Sequence, residues 1–325
     1  MIRYFRSGNP LTVLLLLIYT IFLKFYYLLH PSTYLMGGSE GLLYTLLVNW
    51  LKALVGNSPL FFTTLAILLQ FVQALLFNKI INYHRLFAKP NYLPAMTYLL
   101  FTSLLDNWSA FSPVLLVNLI MLWVFSSLTD LYSRTSVRDV VFNTGFAIGI
   151  AALLYFPAVV FLLLLLISLL IMRAFRLAEW IIGLMGLICP IYLLGTYLFL
   201  TDRWSMLYSI PNIGLANPFV NDYKVWGATV VCVLFLVAGW ALLQRALKKM
   251  LIQGRKIWSV SLVFVLVALV VPFFSVKFNP AYWLVAVLPI SMFGANVFWS
   301  IRNNTIANAV HILVLGYVLL MQYFT

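Results

Sequence analysis

The chain has 325 residues, 64% of them hydrophobic and 8% charged, with a net charge of +13 and a mean hydropathy of +1.05. A soluble domain carries roughly 25% charged residues because its surface must face water. That fold class is excluded, and most of this surface must face lipid.

A helix crosses about 30 Å of hydrocarbon with roughly 20 apolar residues. Runs such as "LTVLLLLIYTIFLKFYYLLH" and "VVFLLLLLISLLIMR" meet or approach that length. The pattern predicts an all-α polytopic protein of about eleven spans, near residues 11–29, 58–78, 92–105, 111–129, 140–156, 158–172, 180–200, 226–244, 257–275, 282–300 and 306–324. The third is the shortest. One membrane domain of residues 1–325 is expected, with a short N-terminal segment (1–10) and two longer loops on the opposite side (30–57 and 201–225). The basic start resembles a signal peptide, but no small-residue cleavage site follows, so the first run reads as a retained span.

Starting from the cytoplasm, alternate connections collect fifteen of the twenty basic residues, among them Arg3, Arg6, Lys79, Arg85, Arg134, Arg245, Lys249 and Arg302. That bias is the positive-inside rule. It places the N-terminus in the cytoplasm and the C-terminus on the periplasmic side of a bacterial inner membrane. The net charge therefore serves orientation and contact with anionic membrane lipids, and nucleic-acid binding is not supported. Lys24, inside the first span, is expected to snorkel to its outer end.

The first outer loop opens with Pro31, which stops the first helix, and Gly37-Gly38, which allow a tight turn that Ser39 can follow as a cap. From Glu40 onward, Leu43, Leu46, Leu47, Trp50, Leu51 and Leu54 recur at helical spacing, as in an amphipathic interfacial helix. The 201–225 stretch, with two prolines, aromatics and four charges, reads as an ordered loop or a short interfacial helix.

Acids are scarce, with only seven in the chain. Asp130, Asp139 and Glu179 lie beside arginines on the cytoplasmic side, where pairing explains them. Glu40, Asp106, Asp202 and Asp222 fall outside. An acid at the rim of a membrane cavity leans functional, whereas the plainer reading has Glu40 capping the interfacial helix and Asp106 capping a turn with Asn107 or Ser109. Lys52, Arg203, Lys224 and Lys277 break the charge rule. Holding a lipid phosphate is one reason, favoured for Arg203 and Lys277; pairing with a neighbour is the other, favoured for Lys224 with Asp222. Cys189 and Cys232 are separate and intramembrane, and His30, His84 and His311 lack metal-ligand spacing. A solute or lipid carrier would need a polar path at mid-membrane, and no such set of residues stands out.

With those loops in place, the chain resembles the C superfamily of transmembrane glycosyltransferases. "SPVLLVNLIMLWVFSSLTDLYSRTSVRDVVFNTGFAIGIAALLYFPAVVFLLLLLISLLIMRAFRLAEW" has that family's rhythm of span, Arg-bearing turn and small-residue span, over roughly residues 90–200. The layout is also similar to that of uncharacterised bacterial envelope proteins. The glycosyltransferase resemblance implies a polyprenyl-phosphate sugar donor handled at the outer face, its phosphate near Arg203, Lys277 or Lys52. Glu40 and Asp106 would be catalytic, Glu40 as general base or both around a divalent metal. The single Glu40, where the family often has an acidic pair, and the lack of a C-terminal soluble domain are departures. The competing expectation is a non-catalytic scaffold or accessory subunit working with other envelope membrane proteins.

Overall fold

The computed structural model describes residues 1–134, 136–204, 206, 222–275 and 278–323. Among them the chain is helical, with one isolated bridge between Glu40 and Tyr155. After the short α1 (Ile2–Phe5) come α2 (Thr12–Leu29), α3 (Leu42–Val55), α4 (Pro59–Tyr83), α5 (Leu93–Phe101), α6 (Pro113–Asp130) and α7 (Arg138–Leu154). The second half holds α8 (Phe161–Met172), α9 (Leu177–Leu200), α10 (Tyr223–Leu247), α11 (Ile252–Val270), α12 (Leu284–Ser300) and α13 (Asn304–Tyr323). This is an all-α polytopic membrane protein.

Eight of the described helices, rather than eleven, are long and apolar enough to cross a membrane: α2, α4, α6 and α9 to α13, α11 and α12 being extended by adjoining 3-10 turns to Ile252–Phe274 and Pro280–Ser300. The other three expected spans are helical but shorter, at nine residues for α5, 17 for α7 and twelve for α8. At 1.5 Å per residue, α5 covers only about 14 Å. It ends because Thr102 and Ser103 both turn their hydroxyls back onto the Leu99 carbonyl, at 3.0 and 2.9 Å, competing with the helical ladder. Beyond it the backbone is irregular. Such backbone is tolerated at membrane depth only where protein satisfies it. Here Lys24 donates to the Thr102 carbonyl at 2.9 Å, Gln322 to that of Ser103 at 3.2 Å and Gln70 to that of Trp108 at 2.6 Å.

Hydrogen bonds sort the helix ends into two faces. On the N-terminal face, Tyr92 N–H donates to the Phe5 carbonyl at 2.7 Å, Ile2 N–H reaches Asn308 at 3.0 Å, and His84 meets Thr129 at 2.7 Å. Arg6 clamps the end of α12 by donating to the Phe298 carbonyl (2.5 Å), the Ile301 carbonyl and Asn304 (2.7 Å). On the opposite face, Ser32 pairs with Thr63 at 3.0 Å, Leu35 N–H donates to Phe111 at 2.8 Å and Gly41 N–H to Leu154 at 2.9 Å.

Between helices, packing relies on small residues and polar ties, because lipid supplies no hydrophobic drive for helix association. The small-residue stretch of α7 lies directly on α9. A Cβ on Gly145 would stand 2.2 Å from the Gly183 carbonyl oxygen, and one on Gly186 would stand 2.3 Å from that of Phe142. Buried amides make the ties: Gln73 donates to the Leu115 carbonyl at 2.7 Å while accepting from Tyr98 at 2.5 Å. Asn118 donates to Leu284 at 3.1 Å and Asn296 to Gly239 at 2.9 Å.

The helix expected at the interface is α3, and its N-cap is Gly41 and not Ser39. Gly41 is required there, since a Cβ would lie 1.9 Å from the Leu153 carbonyl oxygen. Tyr44 and Val48 face the body, while Leu46, Trp50 and Leu54 are exposed. The helix is thus apolar on both sides, with its outer row left to lipid.

Candidate functional site

Glu40 and Asp106 take up different positions on the face opposite the N-terminus. Glu40 is partly buried at the end of the loop that follows α2. Its carboxylate accepts from Gly38 N–H at 2.8 Å, from Gly37 N–H and from the Tyr282 hydroxyl at 3.4 Å. It therefore closes the Gly-Gly turn behind it and does not cap α3 ahead of it. Gly38 has φ +89° and has open space around it; a Cβ on Gly37 would collide with the Tyr282 hydroxyl at 2.4 Å. The double glycine is what lets the backbone reach the carboxylate. Tyr44 holds the same loop from below, its hydroxyl donating to the Leu35 and Phe111 carbonyls at 3.2 Å each. Burial, reinforced by the Glu40 charge, raises the Tyr44 phenol well above its ordinary range.

Asp106 opens a 3-10 turn, Asp106–Trp108, between α5 and α6. Its backbone carbonyl accepts from Ser109 N–H at 3.0 Å, as a turn requires. Its carboxylate does something else. It accepts from the Tyr27 hydroxyl at 3.0 Å and from the Lys224 ammonium at 3.1 Å. The Lys224 side chain is 22% exposed and that of Asp106 is 45% exposed. Lys224 sits in the first turn of α10, where Asp222 caps its backbone N–H at 2.9 Å. The expected Lys224–Asp222 ion pair is therefore replaced by a backbone cap, and the ammonium crosses to an acid 118 residues away.

Below that pair lies Lys24. It is completely buried, and its ammonium donates to the Thr102 carbonyl at 2.9 Å and the Ser109 hydroxyl at 2.7 Å. Snorkelling is ruled out: the side chain turns inward to satisfy the broken end of α5. Its ammonium is 5.7 Å from the Tyr27 ring centroid, the ring that bonds Asp106. One carboxylate is thus flanked by two lysines, one at the rim and one buried under neutral partners.

The two acids are joined only indirectly. Trp108 donates from Nε1 to the Pro280 carbonyl at 3.0 Å, seating the Asp106 turn on the Pro280–Trp283 turn, from which Tyr282 reaches Glu40. No described side chain bonds to both carboxylates. Nor do the described residues bring three or more His, Cys, Asp or Glu together in a way that could hold a metal.

Of the expected phosphate ligands, Lys52 lies over the Tyr34 ring, 4.2 Å from its centroid, in a cation–π contact. Arg203 is exposed just past α9, beside Asp202 at φ +53°. Lys277 and most of the 201–225 loop lie outside the described residues. On the N-terminal face, Asp130 meets Arg134 at 4.0 Å and Glu179 meets Arg173 at 4.0 Å, the local pairings expected there.

No family model matches the chain, and neither a curated protein nor a solved structure is significantly similar to it.

Proposed function

We propose that the chain is a glycosyltransferase-like protein of the bacterial inner membrane. In this reading it handles a polyprenyl-phosphate-linked sugar on the face bearing Glu40 and Asp106, with the N-terminus cytoplasmic and the C-terminus periplasmic. The observation that carries this reading is the Lys24–Tyr27–Asp106–Lys224 cluster. An ammonium buried at membrane depth against neutral partners is costly and marks function by default. Lys224, 22% exposed at the rim of the cluster, is the ammonium that can meet a phosphodiester.

The chemistry follows from the residues. An acceptor hydroxyl attacks the anomeric carbon of the sugar, and the bond from that carbon to the phosphate oxygen breaks. The polyprenyl phosphate leaves with the electron pair, stabilised by Lys224, while Lys24 holds the backbone of the turn that carries Asp106. The hydroxyl proton passes to a carboxylate, and Glu40, held as an acceptor by backbone N–H groups, is the candidate base. The reading takes no step through a metal, because Glu40 and Asp106 share no partner that would gather them around one.

A second reading, a non-catalytic scaffold among other envelope proteins, draws on a specific observation: each acid already has intramolecular partners. The protein in nanodiscs, supplied with polyprenyl-phosphate mannose or aminoarabinose and a lipid hydroxyl acceptor, separates the two. Sugar-dependent release of polyprenyl phosphate, lost in Glu40→Gln and Asp106→Asn variants that keep their melting temperature, supports transfer. Release at wild-type rates from both variants, or none from the wild type, overturns it in favour of the scaffold.

A further inference from the structure

The N-terminal face contains a cavity of about 990 Å³ bounded by the ends of α4, α6, α10 and α12 and the start of α11. Four basic side chains from three separate connections line it: Arg85 after α4, Arg245 and Lys249 at the end of α10, and Arg302 after α12. The single carboxylate in the lining, Asp130, is already engaged, 3.7 Å from His84 and 4.0 Å from Arg134. Among the described residues, none of the four cations has a carboxylate within 4.0 Å.

Positive-inside bias accounts for basic residues on this face but not for their convergence. Four like charges around one space repel each other, and all four residues are exposed and open to an anion from outside. Arg85 is held at φ +51°, a left-handed conformation that costs a non-glycine residue about 1 kcal/mol. The walls are fixed independently of any occupant. His84 bonds to Thr129 across α4 and α6, Asn296 bonds to the Gly239 carbonyl across α12 and α10, and Arg6 clamps the segment that carries Arg302. Arg6 thereby spends its two terminal guanidinium nitrogens on Asn304 and the Phe298 and Ile301 carbonyls.

Apolar side chains, Phe87, Met250, Trp299 and Leu251 among them, share the rest of the lining with polar ones such as Ser133, Gln253 and Asn296, and Leu251 is 83% exposed. A free phosphate has no use for such walls, whereas a lipid does: its headgroup sits among the cations and its chains run out over the exposed leucine. The geometry points to a binding site for the phosphate headgroup of an anionic lipid between α4, α10 and α12, on the face opposite Glu40 and Asp106. The site is preorganised, and it is independent of the transfer chemistry proposed above.

Native mass spectrometry of the full chain tests this, with cardiolipin as probe and phosphatidylcholine as the zwitterionic comparison. The wild type is expected to retain cardiolipin preferentially. Changing Arg85, Arg245, Lys249 and Arg302 together to Gln should lower that retention about tenfold or more. The same change at Arg3, Lys79, Arg138 and Arg255, four exposed cations outside the cavity, should lower it less than about twofold. Equal loss from both sets would reduce the effect to surface charge and overturn the site. Arg302→Gln alone, too small a change to alter topology, should weaken retention about threefold; an unchanged value would also overturn it. Complete displacement of cardiolipin by millimolar inorganic pyrophosphate would assign the cavity to a free phosphate and refute the lipid.

Discussion

The two faces of the molecule treat charge in opposite ways. Opposite the N-terminus, charges are few and inwardly satisfied: Glu40 by two backbone N–H groups and a tyrosine, Asp106 by Tyr27 and Lys224, and Lys24 by a carbonyl and a hydroxyl. On the N-terminal face charges are many, and among the described residues the four cations around one cavity have no carboxylate within 4.0 Å. The first arrangement holds a few groups in a fixed geometry with only Lys224 at the rim, whereas the second leaves a cavity open to a ligand that arrives with the missing charge.

That comparison sets an order of expected effects. The largest lies in the body both faces share: Gly186→Leu would drive a side chain into the Phe142 carbonyl and force α7 and α9 apart. It should cost about 3 kcal/mol, read as a fall in the melting temperature of the detergent-solubilised protein. Retained stability would mean that the glycine contact between α7 and α9 is not close.

Next comes Lys24→Met. The substitution leaves the buried Thr102 carbonyl and Ser109 hydroxyl without their donor. It should cost about 1–3 kcal/mol, and release of polyprenyl phosphate should fall as the turn that carries Asp106 loosens. Wild-type stability would contradict the role given to Lys24 at the end of α5.

The Lys224–Asp106 pair is partly exposed, so its coupling should be modest. A double-mutant cycle with Lys224→Gln and Asp106→Asn should return about 0.5 kcal/mol, and a coupling of zero would remove the pair from the account. The smallest effect is on His84. Burial depresses its pKa despite the neighbouring Asp130 carboxylate, so the ring is neutral at pH 7 and its contact with Asp130 is not then an ion pair. The unfolded chain takes up that proton at about pH 6.5, so stability should be full above that pH and fall below it. His84→Gln should flatten that slope, by less than about 1 kcal/mol overall; an unchanged slope would contradict the assignment.

The helices were legible because lipid imposes one demand, a run of apolar residues, and each of the eleven expected segments is helical. The length of α5 was not legible. An apolar run that ends in irregular buried backbone reads like a continuous span, and it is Lys24, Gln322 and Gln70, supplied from α2, α13 and α4, that make the break tolerable. The "GFAIGIAALLYFP" stretch announces close packing without naming its partner, since Gly145 meets Gly183 through the fold alone. Local pairings such as Glu179 with Arg173 could be read from sequence proximity. The Lys224–Asp106 pair could not: the nearer Asp222 competes for Lys224 in sequence and takes its backbone N–H instead. The cation cavity escaped for the same reason, because its four residues come from three connections and look like ordinary orientation charge one at a time.

The most direct test is a crossed binding measurement in nanodiscs, with polyprenyl-phosphate mannose and cardiolipin as probes against Lys224→Gln and Arg302→Gln. The account predicts that Lys224→Gln weakens only the sugar-linked lipid and Arg302→Gln only cardiolipin. Both probes responding to the same substitution, or the reverse pattern, would contradict the division of labour between the two faces.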